Sequence, residues 1–359
     1  MTTRALLLLL PGLGDALCAG PILSAALSRD DWSLDILTML DPVAEYATAL
    51  DGVDNVYSTH LLERFEFRRL LSLRRNCYDK IIVPFPATRW QYAALASALG
   101  ASQLWIHDYG GTSKAIAVLA GARFVRLMGG HRLAENVRLA RAMGLNSADE
   151  LCYVVPAAWR APRQNRLVGV HSGSMVYKGN EARRWPIQNF AELVKRLIGR
   201  GLAVRTFFGP SEADDSSLIA SMAGSPSLEI VRDNLANAAR ALAECEVFVG
   251  NDAGFSHLAA GLGCKTVVVF GMTDPARAVP AGRTIALRPS PCPACHDEGM
   301  RAFTCVRHIG YRCVRTDVSV ETVLGAVLRA LESEVQNAAL ATSGAFRLYN
   351  RARGTSRKA

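Results

Sequence analysis

No stretch of the 359-residue chain reaches the roughly 18 consecutive apolar residues of a membrane span. The longest charge-free run, Trp90–Ile106, is broken by Gln91, Ser97, Gly100, Ser102 and Gln103. A secretory leader is not expected either. Ala5–Leu10 is too short for its apolar core and runs into Pro11-Gly12-Leu13-Gly14-Asp15 rather than a small-residue cleavage site. These absences lead to the expectation of a cytoplasmic protein, whose nine cysteines serve as thiols or metal ligands rather than disulfides. Aromatic residues make up 7% of the chain and are not interleaved with its basic positions, which argues against nucleic acid as a partner. Short internal repeats are also lacking.

What is present is a chain that is half hydrophobic and one-fifth charged. Such a composition can bury a large core, and it excludes disordered, collagen-like and disulfide-stapled classes. The net charge is +9 and clustered. Residues 61–90 hold seven Lys/Arg (Arg64, Arg68, Arg69, Arg74, Arg75, Lys80, Arg89) against three acids, and the last thirteen residues carry five basic residues and no acid. The clusters read either as solvated faces or as attraction to an anionic acceptor or leaflet, with peripheral contact at the cytoplasmic face of the inner membrane. Arg64, Arg68 and Arg89 are the candidate acceptor-binding residues.

Short apolar runs alternate with amphipathic stretches. Strands are expected at Leu6–Leu10, Ser33–Leu40, Lys80–Pro84, Gln103–His107 and Ala122–Leu127, and then at Leu167–His171, Ala203–Gly209, Val247–Gly250 and Thr266–Gly271. Helical spacing marks Pro21–Ser28, Gln91–Leu99, Asn189–Ile198 and Ser319–Leu331. The pattern predicts an α/β fold of parallel sheets. The Pro/Arg/Ala-rich run Pro156–Arg166 reads as a linker between domain 1–160 and domain 167–335, followed by a helix end and basic tail at 336–359.

Three strand-to-helix turns carry candidate chemistry. In the first, Asp15 follows Gly12-Leu13-Gly14 and reads as a cap on the helix dipole or as a general base facing a cleft. Leu17 stands where the dinucleotide fingerprint needs a small residue, which weakens an NAD(P) reading. The second joins Ser172-Gly173-Ser174 to Arg183-Arg184-Trp185-Pro186. Its paired guanidiniums are surface charges or phosphate ligands. The third, Asn251-Asp252-Ala253-Gly254-Phe255-Ser256-His257, offers first-turn N–H groups to an anion, or is a plain N-cap by Asp252.

These turns, with Pro21, Gly209-Pro210-Ser211-Glu212 and Phe270-Gly271-Met272-Thr273-Asp274-Pro275, resemble glycosyltransferase family 9, the lipopolysaccharide heptosyltransferases, over roughly residues 5–335. The resemblance implies a GT-B fold, two Rossmann-like domains facing each other across a cleft. It also implies inverting transfer from an ADP-sugar to an anionic glycolipid of the lipopolysaccharide inner core or a related glycan, with no cofactor needed for catalysis. By the same resemblance Asp15 is the base and Arg183 replaces a donor-binding Lys. Glu212 takes the ribose hydroxyls and Asp252 faces the sugar. Gly254, Phe255, Ser256 and His257 hold the pyrophosphate, and Ser172, Ser174 and Arg184 border the donor. Ala253 and Arg183 depart from the usual pattern, and Lys178, in a longer loop, is a second candidate cation.

Cys292, Cys295, Cys305 and Cys313 lie close in sequence and could hold structural zinc or iron, or remain free thiols. Similar cysteines occur in protein-modifying heptosyltransferases resembling this family, which makes protein glycosylation an alternative function. The remaining alternatives are an oxidoreductase and a metal-stapled nucleic-acid module. Cys18, Cys77, Cys152, Cys245 and Cys264 are expected in the core.

Overall fold

The structure is a computed structural model that describes residues 2–60, 67–145, 151–174, 184–288, 294–295, 305 and 307–332. The first half runs β1 (Thr3–Leu9), α1 (Leu13–Cys18), α2 (Gly20–Leu27), β2 (Trp32–Thr38), α3 (Asp41–Thr48), β3 (Asn55–Ser58) and α4 (Phe67–Arg75). It continues with β4 (Lys80–Val83), α5 (Trp90–Leu99), β5 (Gln103–Asp108), α6 (Gly111–Leu119), β6 (Arg123–Arg126) and α7 (Arg132–Ala142). The second half runs β7 (Gln164–His171), α8 (Ile187–Ile198), β8 (Ala203–Phe207), α9 (Ala213–Ala223), β9 (Leu228–Val231), α10 (Leu235–Ala243) and β10 (Cys245–Asn251). After these come α11 (Gly254–Gly261), β11 (Lys265–Val269), α12 (Pro275–Ala278), β12 (Thr284–Leu287), α13 (Arg312–Arg315) and α14 (Val320–Glu332).

The strands form two six-stranded parallel sheets, ordered β3-β2-β1-β4-β5-β6 and β12-β11-β10-β7-β8-β9. Both follow the same doubly wound order, so each has one switch point where the winding reverses, between β1 and β4 and between β7 and β10. Ligand crevices open beyond the strand ends at such points. The turns singled out by the sequence follow β1, β7 and β10, so both switch points carry candidate chemistry.

The leucine run of β1 is apolar without alternation because both faces of its sheet are covered. Leu7 and Leu9 pack with α1, α2 and α3, whereas Leu6, Leu8 and Leu10 pack on the opposite side with residues of α4, α5 and α6. The cluster around Leu7 and Leu9 continues into the second half through Phe207, Leu242, Phe248, Leu258 and Ala259. Val168, Val170, Val247 and Val249 pack on the other face with Phe190, Leu193 and Val194 of α8 and Val323 and Val327 of α14. The two halves therefore share apolar core.

The interval expected to be a linker is pinned rather than loose. Residues Ala157–Trp159 form a short 3-10 turn, and Trp159 is buried against Tyr46, with ring centroids 6.1 Å apart. Among the described residues no helix is long and apolar enough to cross a membrane.

Candidate active site

Gly12 caps α1, with the Asp15 and Ala16 N–H groups donating to its carbonyl at 3.0 Å. Asp15 thus lies in the first turn of α1, and its Oδ1 accepts a hydrogen bond from Arg132 Nη1 at 2.8 Å. Arg132, largely buried, is the first residue of α7 and sits 117 positions away in the chain. Its side chain fixes and charge-balances the carboxylate. The sequence pattern did not point to Arg132, because only the fold brings α7 beside α1.

In the second half, the buried Asn251 organises the turn that precedes α11. Its Oδ1 accepts from the Trp185 N–H at 2.8 Å, and its Nδ2 donates to the Ser172 carbonyl at 2.7 Å. One amide thereby ties the β10 turn to the β7 turn. Asn251, too, was passed over at the sequence level, where it read as one more polar turn residue. The Ser256 hydroxyl donates to the Asn251 carbonyl at 2.6 Å, and the Ser256 N–H donates to the Ala253 carbonyl at 3.1 Å. The amides of Gly254 and Phe255 precede that bond and belong to the part of a helix that offers N–H groups to an anion. Asp252 is buried beside them, its N–H bonded to the Val269 carbonyl at 3.2 Å.

The starts of α1 and α11 touch. A Cβ added at Gly254 would lie 2.8 Å from the Gly14 nitrogen, and one at Gly14 would lie 3.1 Å from the Gly254 Cα. Glycine at both positions allows the two backbones to meet, which brings Asp15 and the amides of α11 to one crevice. A dinucleotide turn is thus not needed to explain Gly14.

The His257 side chain faces inward. Tyr153 Oη accepts from the Ala281 N–H at 3.0 Å and lies 2.8 Å from His257 Nδ1, so it donates its own proton there. Burial, aided by the Arg132 charge, pushes the imidazole pKa down to about 3, and the ring is neutral. The imidazole therefore brings no positive charge to a phosphate. The Phe255 ring packs against His171 at 4.9 Å and Phe207 at 5.3 Å.

Glu212 precedes α9. Its Oε2 accepts from the Gly209 N–H at 2.7 Å and lies 3.3 Å from His171 Nε2, while Arg184 Nη2 approaches Oε1 at 3.8 Å. Burial opposes its charge, but the His171 interaction, the Gly209 N–H and the Arg184 guanidinium outweigh it and hold the carboxyl below its usual range. Arg184 also donates from Nε to the Ser174 hydroxyl at 3.1 Å and from Nη2 to the Ser174 carbonyl. The Ser172 hydroxyl faces Asp215 Oδ2 at 3.4 Å. A cavity of about 400 Å³ opens here, lined by Ser172, Arg184, Trp185, Gln188, Asp215 and Arg315 among others. Asp15 and α11 do not line it, so it is an annex to the crevice between the domains.

Arg183, Lys178, Arg64 and Cys292 lie outside the described residues. Arg68 is exposed on α4 and Arg89 at the start of α5, in the helix layer across the first sheet from α1. Cys313 is buried against Met272, whose carbonyl accepts from the Cys295 N–H at 2.9 Å. Backbone N–H groups, that of Tyr311 first, lower the Cys305 thiol from its ordinary value. Among the described residues no three ligating side chains converge on a metal site. Cys18, Cys245 and Cys264 are buried, but Cys77 is exposed and Cys152 only partly covered, contrary to expectation. Cys77 follows α4 at a left-handed turn (φ 49°), outside the packed layer.

Two Rossmann-type domains meeting at a crevice, with an acid on one lip and a helix N-terminus on the other, have the GT-B architecture. The profile of Glycosyltransferase family 9 (heptosyltransferase) matches residues 162–299. Lipopolysaccharide heptosyltransferase 3 of Escherichia coli is 23% identical over 283 residues, 73% of this chain and 81% of that one. Lipopolysaccharide heptosyltransferase 1 of Pseudomonas aeruginosa is 34% identical over 111 residues, 30% of this chain and 29% of the other. Among solved structures, E. coli ADP-heptose lps heptosyltransferase II superposes with a TM-score of 0.70 at 18% identity, covering 92% of this chain and 98% of its own. E. coli heptosyltransferase WaaC with ADP gives 0.70 at 17% identity, covering 91% and 100%. The match to the family 9 profile over residues 162–299 and the similarity to heptosyltransferases identify a glycosyltransferase and set aside the oxidoreductase and nucleic-acid readings.

Proposed function

We propose that this enzyme transfers a heptose, with inversion, from ADP-heptose to an anionic acceptor of the lipopolysaccharide inner core. The observation that carries the reading is the contact of Gly14 with Gly254, which sets Asp15 opposite the start of α11. Inverting displacement needs a base on the acceptor side of the sugar and charge stabilisation on the leaving group. Asp15 takes the proton of the acceptor hydroxyl as that oxygen attacks the anomeric carbon. The Gly254 and Phe255 amides, aided by the α11 dipole, stabilise the departing diphosphate. Arg183 supplies a cation to it. Glu212, kept ionised, accepts hydrogen bonds from the ribose hydroxyls, Asp252 faces the sugar, and Ser172, Ser174 and Arg184 border the nucleotide. This division of labour uses no cofactor.

Neighbouring structures support the donor class, since one of them is E. coli heptosyltransferase WaaC with ADP-2-deoxy-2-fluoro heptose. The exposed arginines of α4, with Arg89, suit an anionic glycolipid presented at the cytoplasmic face of a membrane. The test is incubation of the purified enzyme with ADP-heptose and lipopolysaccharide from a strain lacking inner-core heptose. A mass gain of one heptose, with release of ADP, is expected. An unchanged glycan mass would overturn the assignment.

A further inference from the structure

Three consecutive residues after α12 form a hydrogen-bonded bracket across the domain seam. Val279, which follows α12, accepts at its carbonyl from His131 Nε2 at 2.7 Å. Ala281 donates its N–H to Tyr153, which in turn bonds His257 of α11. The same short segment of the second domain thus grips the helix proposed to hold the donor and reaches across to α7 of the first.

His131 is the N-cap of α7: its Nδ1 accepts from the Leu133 N–H at 3.2 Å. With Nδ1 accepting, the ring proton sits on Nε2 and points at the Val279 carbonyl. His131 is 3% exposed, and burial, reinforced by the Arg132 charge, lowers its pKa to about 4, so the ring is the neutral tautomer this pattern requires. The next residue is Arg132, which holds Asp15 Oδ1. One imidazole therefore fixes the helix start that carries the partner of the acid, and it is itself fixed by the other domain.

We infer that His131 is a positioning residue for the transfer reaction, a link through which the Val279–Ala281 segment sets Arg132 and hence the Asp15 carboxylate relative to α11. The inference rests on Asp15 being the base. Without the bond to Val279, the N-cap of α7 loses a hydrogen bond to the second domain, and the carboxylate loses its register with the donor. A displacement of about an ångström at a reacting group can lower a rate by roughly 100-fold.

The relay separates from a merely structural role in kinetics. His131→Ala is expected to lower kcat by roughly 10- to 100-fold with ADP affinity, measured by calorimetry, unchanged. His131→Gln, whose amide can donate to Val279 and whose carbonyl can accept from Leu133, should recover most of that loss. In an Arg132→Ala background, His131→Ala should cost nothing further, because both act through one link. Wild-type kcat in His131→Ala would overturn the inference. So would a Gln variant no better than Ala, or losses that multiply in the double variant. Failure of the Asp15 reading is told apart by Asp15→Ala, which would then keep its turnover whatever the His131 variants do.

Discussion

Gly173 shows how tightly single residues constrain the proposed donor side. A Cβ there would overlap the Glu212 carboxylate, whose position is set by the Gly209 N–H and by His171 and Arg184. Gly173→Ala should push the carboxylate away, and ADP affinity should fall by about tenfold, the equivalent of one lost hydrogen bond to a charged group. Unchanged affinity by calorimetry would remove Glu212 from the nucleotide site. The sequence suggested that the Gly254 turn offers N–H groups to an anion. The structure adds that Gly254 meets the backbone of Gly14, a contact invisible in one dimension because 240 residues separate the pair.

At the level of elements, interior strands were readable because burial on both faces makes them continuous apolar runs. Three of the four edge strands, β3, β9 and β12, are four residues each and partly exposed and gave no such signal, whereas the equally short edge strand β6 was legible at Ala122–Leu127. Helix α7 escaped notice because it buries Glu135 and Asn136 rather than apolar side chains alone. Asn136 bonds the Phe85 N–H and carbonyl and the Cys18 carbonyl, linking the end of α1 to the turn after β4. Three buried imidazoles mark the same region: burial lowers His107 to about 4, His131 to about 4 and His257 to about 3. The unfolded chain binds protons at these residues near pH 6.5, whereas the folded chain resists until pH 3–4. Stability is therefore full above about pH 6.5 and is lost as pH falls toward 4. Melting temperature should drop steadily across that window, and His257→Gln should flatten the slope. A profile level from pH 7 to pH 4.5 would contradict this.

For the whole molecule, the shared apolar cluster and the Val279–Ala281 bracket hold two similarly wound domains in one relation. Arginines from either side of the sequence gap then matter less by number than by lip. Arg132 stands with the acid, and Arg184 stands with Glu212. The fold and the identity of the turns could be read in advance because doubly wound sheets place their ligand turns at predictable strand ends. The pairing of those turns could not, since it depends on domain packing. The central claim is that the acid of one domain acts on a donor held by the other. Its most direct measurement is heptose transfer by Asp15→Ala beside its ADP affinity. A turnover loss of about 10²- to 10⁴-fold with ADP binding intact is predicted. Transfer at the unmutated rate would contradict the account.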